Sequence, residues 1–233
     1  MTPYYEIHGD GEPLVLLHGA FATIRTWGPV LTVLAERRQV IAVELQGHGH
    51  TPDVERPLRY ETMADDIAGL IDLLGSRPTD VLGHRMGGAV ALRLAIQHPH
   101  KVRSLVLAST PFARTGTHPD AHDAEAARGS YEAVAPRPDE WPTLVTKVGE
   151  LLGRDYDWSA DVRTLEPRTL LVYGDADEVP LAHAAEFLTL LNDDPPGTPG
   201  PRHHLAVLPG TTHRTIGTSP ELARVALGFL GAA

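Results

Sequence analysis

Gly83-His84-Arg85-Met86-Gly87-Gly88 decides how the chain is read. An apolar run, Thr79-Asp80-Val81-Leu82, leads into it, and a helical pattern from Met86 to His98 leaves it. A chain that turns this sharply from strand to helix needs small residues beside its central position, whose own backbone is strained. Gly83, Gly87 and Gly88 meet that steric need. The central side chain is Arg85, a permanently charged group with five donors and no acceptor, so it cannot attack a carbonyl.

Working outward, short apolar runs alternate with helical patterns, which predicts an α/β fold with a mostly parallel sheet and helices on both faces. Strands are expected at Tyr4 to His8, Pro13 to Gly19 (ending in a turn), Gln39 to Glu44, Val102 to Ala108, Arg168 to Gly174 and His204 to Leu208. Helices are expected from Trp27 to Arg38, over 61–75, where Met63, Ile67, Leu70, Ile71 and Leu74 share a face, from Leu181 to Leu191 and from Pro220 to Leu230. Residues 111–167 break the alternation. They are polar, rich in Pro, His and Asp, and read as an insertion rather than another βα unit.

The chain has 233 residues, 42% of them hydrophobic, enough for one well-buried domain. It contains no cysteine, which removes disulfides, thiolate catalysis and cysteine-ligated metals. A formal charge of −10 argues against nucleic acid as a partner. No run is long enough to span a bilayer, and the first residues, Met1 to Glu6, lack the basic patch and apolar core of a signal peptide. A cytoplasmic protein with a small-molecule partner is therefore expected.

Each of four landmarks follows a strand: His18-Gly19-Ala20, the Gly83–Gly88 turn, Gly174-Asp175-Ala176-Asp177 and Thr211-Thr212-His213. Open α/β sheets build their sites at the C-terminal ends of strands, so these landmarks should converge. Their order, with Glu44 to Thr51 (Glu-Leu-Gln-Gly-His-Gly-His-Thr), resembles the α/β-hydrolase superfamily over nearly the whole chain. The Gly83–Gly88 turn looks like that family's nucleophile elbow, G-x-S-x-G, with arginine where the serine stands.

The resemblance implies that residues 1–110 and 168–233 form the hydrolase core, with 111–167 as a short helical lid. It matches Asp177 to the triad acid, His213 to the triad histidine, and the backbone amides of Ala20 and Met86 to the oxyanion hole. His18, a structural hydrogen-bonder, is expected with Phe21, His84 and Trp141 around the pocket. No cofactor is implied, because no dinucleotide fingerprint follows the first strands. His and Asp residues in Thr117 to Asp123 have spacings that could hold zinc, but Pro119 argues for a solvated loop, so no metal is expected.

A lone buried guanidinium needs a carboxylate or a bound anion, and Asp177, then Asp175, are the candidate partners for Arg85. If Asp177 instead orients His213, the histidine can serve as general base and Arg85 can bind negative charge on a carbonyl oxygen. That combination gives an enzyme acting on a small carbonyl or ester compound without a serine acyl-enzyme, with lyase or cyclase chemistry open to the same parts. The alternatives are a protein that only binds small carboxylates, a degenerate hydrolase, and a serine esterase whose nucleophile has been changed to arginine.

Overall fold

The apolar runs pair into a single seven-stranded sheet in a computed structural model that describes residues 1–75, 78–116, 124–193 and 202–231. The strands are β1 (Tyr5–His8), β2 (Pro13–Leu17), β3 (Gln39–Val43), β4 (Thr79–His84), β5 (Val102–Ala108), β6 (Arg168–Ala176) and β7 (His204–Thr212). Their order is β1-β3-β2-β4-β5-β6-β7. Only β1 runs antiparallel, pairing Tyr5 with Val43 and His8 with Val40.

Parallel strands covered on both faces carry continuous apolar runs, and their side chains alternate between two cores. Val15 and Leu17 of β2 face a core shared with α2 (Tyr60–Leu73) and α3 (Met86–Gln97). Leu14 and Leu16 face the opposite core, built with α1 (Pro29–Ala35) and the C-terminal helix Pro220–Leu230. Strands β2, β4 and β5 each send side chains into both cores, so the turns at their ends rest on a packed base.

Boundaries differ from the sequence expectation in places with clear causes. The helix expected from Trp27 splits at Gly28, whose φ of 45° ends a short 3-10 turn, and α1 then starts on Pro29. Strands β6 and β7 run on to Ala176 and Thr212, because their ends pair with each other past the apolar run.

Between β5 and β6 the chain forms α4 (Ala124–Glu132), α5 (Trp141–Leu152) and α6 (Ser159–Val162). Leu144, Val148 and Leu151 of α5 join the larger core. Lys147, on the same helix, gives its ammonium to Asp53 Oδ2 at 2.5 Å and to the carbonyls of Val54 and Arg56 at 2.9 and 2.8 Å. That fastens α5 to the loop after β3. Beyond it come α7 (Leu181–Leu191) and α8 (Pro220–Leu230). The Thr117–Asp123 segment considered for zinc lies outside the described residues, among which no helix is long and apolar enough to cross a membrane.

Candidate functional site

The Gly83–Gly88 turn has the shape its sequence demands. Arg85 sits between β4 and α3 at φ 53° and ψ −118°, a conformation that L residues avoid. A Cβ on Gly83 would lie 2.4 Å from the Gly87 carbonyl oxygen, and one on Gly87 would lie 2.3 Å from the carbonyl oxygens of Leu17 and His18. Only glycine lets the turn close against β2. The Arg85 amide donates to Ala108 O at 3.0 Å, which ties the turn to the end of β5.

Among the described residues Arg85 is one of three non-glycine residues with positive φ, the others being Phe21 (58°) and Ser109 (50°). Each stands just past the end of a central strand: β2, β4 or β5. Such conformations cost about 1–3 kcal/mol apiece and persist where the surroundings enforce them, most often at functional sites.

Next to this row, the turns after β6 and β7 bring Asp177 and His213 together. His213 Nδ1 lies 2.6 Å from Asp177 Oδ1. That bond assigns the ring proton to Nδ1 and leaves Nε2 as the basic nitrogen. Asp177 Oδ2 accepts from the Ser109 hydroxyl at 2.5 Å and from the Gly174 amide at 3.2 Å, while Oδ1 also takes the Val179 amide at 3.1 Å. Burial pushes the Asp177 carboxyl up, but the bonds from His213 and Ser109 outweigh it and hold the group below its ordinary range. Asp177 is thus engaged with His213 rather than serving as the expected partner of Arg85. Asp175, the second candidate, accepts the Thr211 amide at 3.2 Å.

The histidines divide by role. His18 bonds Gly19 O through Nδ1 at 2.7 Å and accepts the Leu45 amide at Nε2 at 3.2 Å. Burial, aided by neighbouring His48, pushes it down to about 3, so it stays neutral and braces the turn after β2. His84 lies against Gly217 and the edge of Trp27, its ring pushed down to about 3 by burial and by the charges of Arg85 and His213.

A cavity of about 400 Å³ opens above the strand ends, and Arg85, His213, Ala20, Phe21 and Met86 all line it. Met86 opens α3, so its N–H is one of those a helix leaves without an internal partner. The helix α5 supplies an apolar wall through Val145, Val148 and Leu152. A smaller cavity, about 240 Å³, shares Ala20, Phe21 and Arg85 with it and is lined by His18 and His84.

One expectation for the pocket needs correction. Trp141 is not on the cavity wall: it is 4% exposed and packs behind Phe21 with ring centroids 5.5 Å apart, because the apolar face of α5 turns it into the core. His18 and His84 line the smaller cavity, which adjoins the larger at Ala20, Phe21 and Arg85.

Sequence reading missed Ser109, Glu178, Arg114, Tyr60 and Tyr156 on the wall of the larger cavity. Glu178 Oε2 is 3.5 Å from His213 Nε2, so the imidazole lies between two carboxylates. Ser109 and Glu178 carried a usable signal, since one closes β5 and the other follows Asp177. Among the described residues no group of three or more His, Cys, Asp or Glu could hold a metal ion.

A sequence model of the alpha/beta hydrolase fold matches residues 12–140. The chain is 38% identical over 104 residues to the putative carbamate hydrolase RutD of Azorhizobium caulinodans, a match covering 45% of this chain and 39% of that protein. It is 37% identical over 106 residues to a 2-hydroxymuconate semialdehyde hydrolase of a Pseudomonas species, covering 42% of this chain and 36% of the relative. With the sn-1-specific diacylglycerol lipase ABHD11 of Mus musculus it shares 35% over 126 residues, or 51% and 39% of the two chains. The matched segment therefore spans only 36% to 39% of these curated relatives. The crystal structure of a serine hydrolase involved in carbazole degradation superposes with a TM-score of 0.77 at 24% identity, over 98% of this chain and 94% of that one. At that identity the likeness speaks to the fold alone.

Proposed function

The chain belongs to the alpha/beta hydrolase fold family, and from that premise we propose a hydrolase of small ester or related carbonyl compounds that works without a serine acyl-enzyme. The observation that carries this is the meeting of Arg85 and His213 on one cavity, with Asp177 holding His213 Nδ1 at 2.6 Å. Arg85 fills the nucleophile seat and cannot attack, so water is the nucleophile. His213 Nε2 takes a proton from that water as its oxygen bonds the substrate carbonyl carbon. Negative charge then develops on the carbonyl oxygen, where Arg85 and the amides of Ala20 and Met86 supply donors. When the intermediate collapses, the carbon–oxygen bond to the leaving alcohol breaks, and the alcohol takes the proton back from His213. Residues 111–167 act as a short lid over this site, and α5 gives the substrate an apolar wall.

Short-chain p-nitrophenyl esters test the reading. The parent chain should hydrolyse them, and His213→Ala and Arg85→Ala should each lose about 100-fold or more. Undiminished turnover in either variant would remove that residue from the mechanism. A second reading, a serine enzyme whose nucleophile was exchanged, draws on the φ of 53° retained at Arg85, which is the strained backbone an elbow serine adopts. Hydrolysis by an Arg85→Ser variant, with none by the parent, would favour it.

A further inference from the structure

Three separate chain segments meet on one part of the larger cavity wall: Tyr60 at the start of α2, Arg114 just past β5, and Tyr156 just past α5. The protein's own contacts hold them there. The Arg114 amide donates to Tyr156 O at 2.9 Å, and a bridge between Ala113 and Asp157 clamps the same two strips. Tyr60 and Tyr156 meet edge-on with centroids 5.6 Å apart, and Trp158 packs on both, 5.5 and 4.4 Å away. Rings fixed on this many sides present their hydroxyls in set positions.

Those hydroxyls differ from the ones that the protein itself satisfies. Tyr173, fully buried, gives its hydroxyl to Thr110 O at 2.6 Å, and Tyr131 gives its own to Arg137 O at 3.2 Å. Neither Tyr60 nor Tyr156 makes a side-chain hydrogen bond among the described residues, although Tyr60 is only 6% exposed. Neither hydroxyl is among the polar atoms sealed in protein without a partner, so both open to the cavity, where a bound group can accept from them. Burial pushes both phenols above their usual range, against the pull of the Arg114 charge, so both keep their protons at neutral pH.

We propose that Tyr60, Tyr156 and Arg114 form a recognition site for a carboxylate, and that the substrate carries one in addition to its scissile carbonyl. Two phenolic O–H groups and a guanidinium offer donors together, which suits a group that only accepts. Among the described residues the cavity wall holds two arginines, Arg85 and Arg114, against one carboxylate, Glu178. Ala89, Val145, Val148 and Leu152 add apolar surface to the same cavity. A half-ester of a short aliphatic dicarboxylic acid has the matching pattern of ester, methylene spacer and carboxylate. This inference rests on the hydrolase reading for the ester and on the cavity for the carboxylate.

Binding separates the two. Calorimetry with hexanoate and hexanamide on His213→Ala protein measures recognition with turnover removed. Hexanoate should bind about tenfold or more tightly than the amide, as one charge-assisted contact set allows. Tyr60→Phe/Tyr156→Phe, which keeps both rings, and Arg114→Gln should each erase most of that preference and leave hexanamide unchanged. No binding of hexanoate, equal affinity for the two, or a preference that survives these substitutions but vanishes in Arg85→Ala would overturn the proposal. A hexanoate preference in a parent chain that hydrolyses no ester would uphold the site and sink the hydrolase reading instead.

Discussion

Charged groups gather at both ends of strand β4, and the two ends treat them differently. At the foot, Asp80 is fully buried and takes Arg38 Nη1 at 3.0 Å together with Arg103 Nε and Nη2 at 2.9 and 2.7 Å. Arg38 passes a second donor to Leu230 O at 2.8 Å, and Arg103 reaches Glu12 at 2.6 Å. This charge closes on itself and ties the sheet to the C-terminal helix. At the head, Arg85, Glu178 and His213 face a cavity of about 400 Å³. The foot serves the fold, whereas the charged groups at the head also line a space that a ligand can enter. The difference teaches where stability and chemistry should separate under mutation.

The largest expected effect is at the head. His213→Ala should lower ester turnover by about 10²–10⁴-fold and cost about 1–2 kcal/mol in urea unfolding, because Ser109 and the amides of Gly174 and Val179 still hold the buried Asp177. A stability loss as large as that of Asp80→Ala would mean that head and foot are not distinct. Next comes the foot. Asp80→Ala strands two arginines, one of them buried, and should cost about 3–5 kcal/mol in urea unfolding. Turnover per folded molecule should hold, and a collapse in turnover would break the comparison.

Acid should attack the head. His18 and His48 are pushed down to about 3 and about 4 by burial, whereas their unfolded rings titrate near 6.5. As pH falls below 6.5 the unfolded chain gains protons that the native rings refuse, so stability drops by about 1.4 kcal/mol per pH unit for each ring. The loss continues until the native values are reached. Unfolding midpoints between pH 6.5 and 4.5 should show this slope, and His48→Gln should flatten it. A slope unchanged in that variant would place the acid sensitivity elsewhere. The smallest effect belongs to Ser109→Ala, which removes one donor from Asp177. It should cost about 0.5–1.5 kcal/mol of stability and reduce turnover only several-fold. A loss as deep as that of His213→Ala would instead make Ser109 a reacting group.

Much of this was legible in the chain because local physics announces it. Apolar runs marked the seven strands, with errors at Gly28 and at the extended ends of β6 and β7. Gly83 and Gly87 announced a turn in which a side chain would collide with backbone. Asp177 and His213 were placed by their positions after strands, and they meet at 2.6 Å. What stayed hidden depends on long-range packing. Tyr60, Arg114 and Tyr156 come from three remote segments with no shared spacing, and only the folding of α5 over the sheet unites them. Trp141 was misplaced because an aromatic residue in a polar insertion gives no sign of which way its helix turns.

The central claim concerns the head of β4: that Arg85 redirects the chemistry there instead of ending it. Intact-mass analysis of protein quenched during p-nitrophenyl ester turnover tests this most directly. The account predicts steady hydrolysis by the parent chain with no acylated protein at any time. Acylated parent protein, or hydrolysis that begins only when Arg85 is replaced by serine, would contradict it.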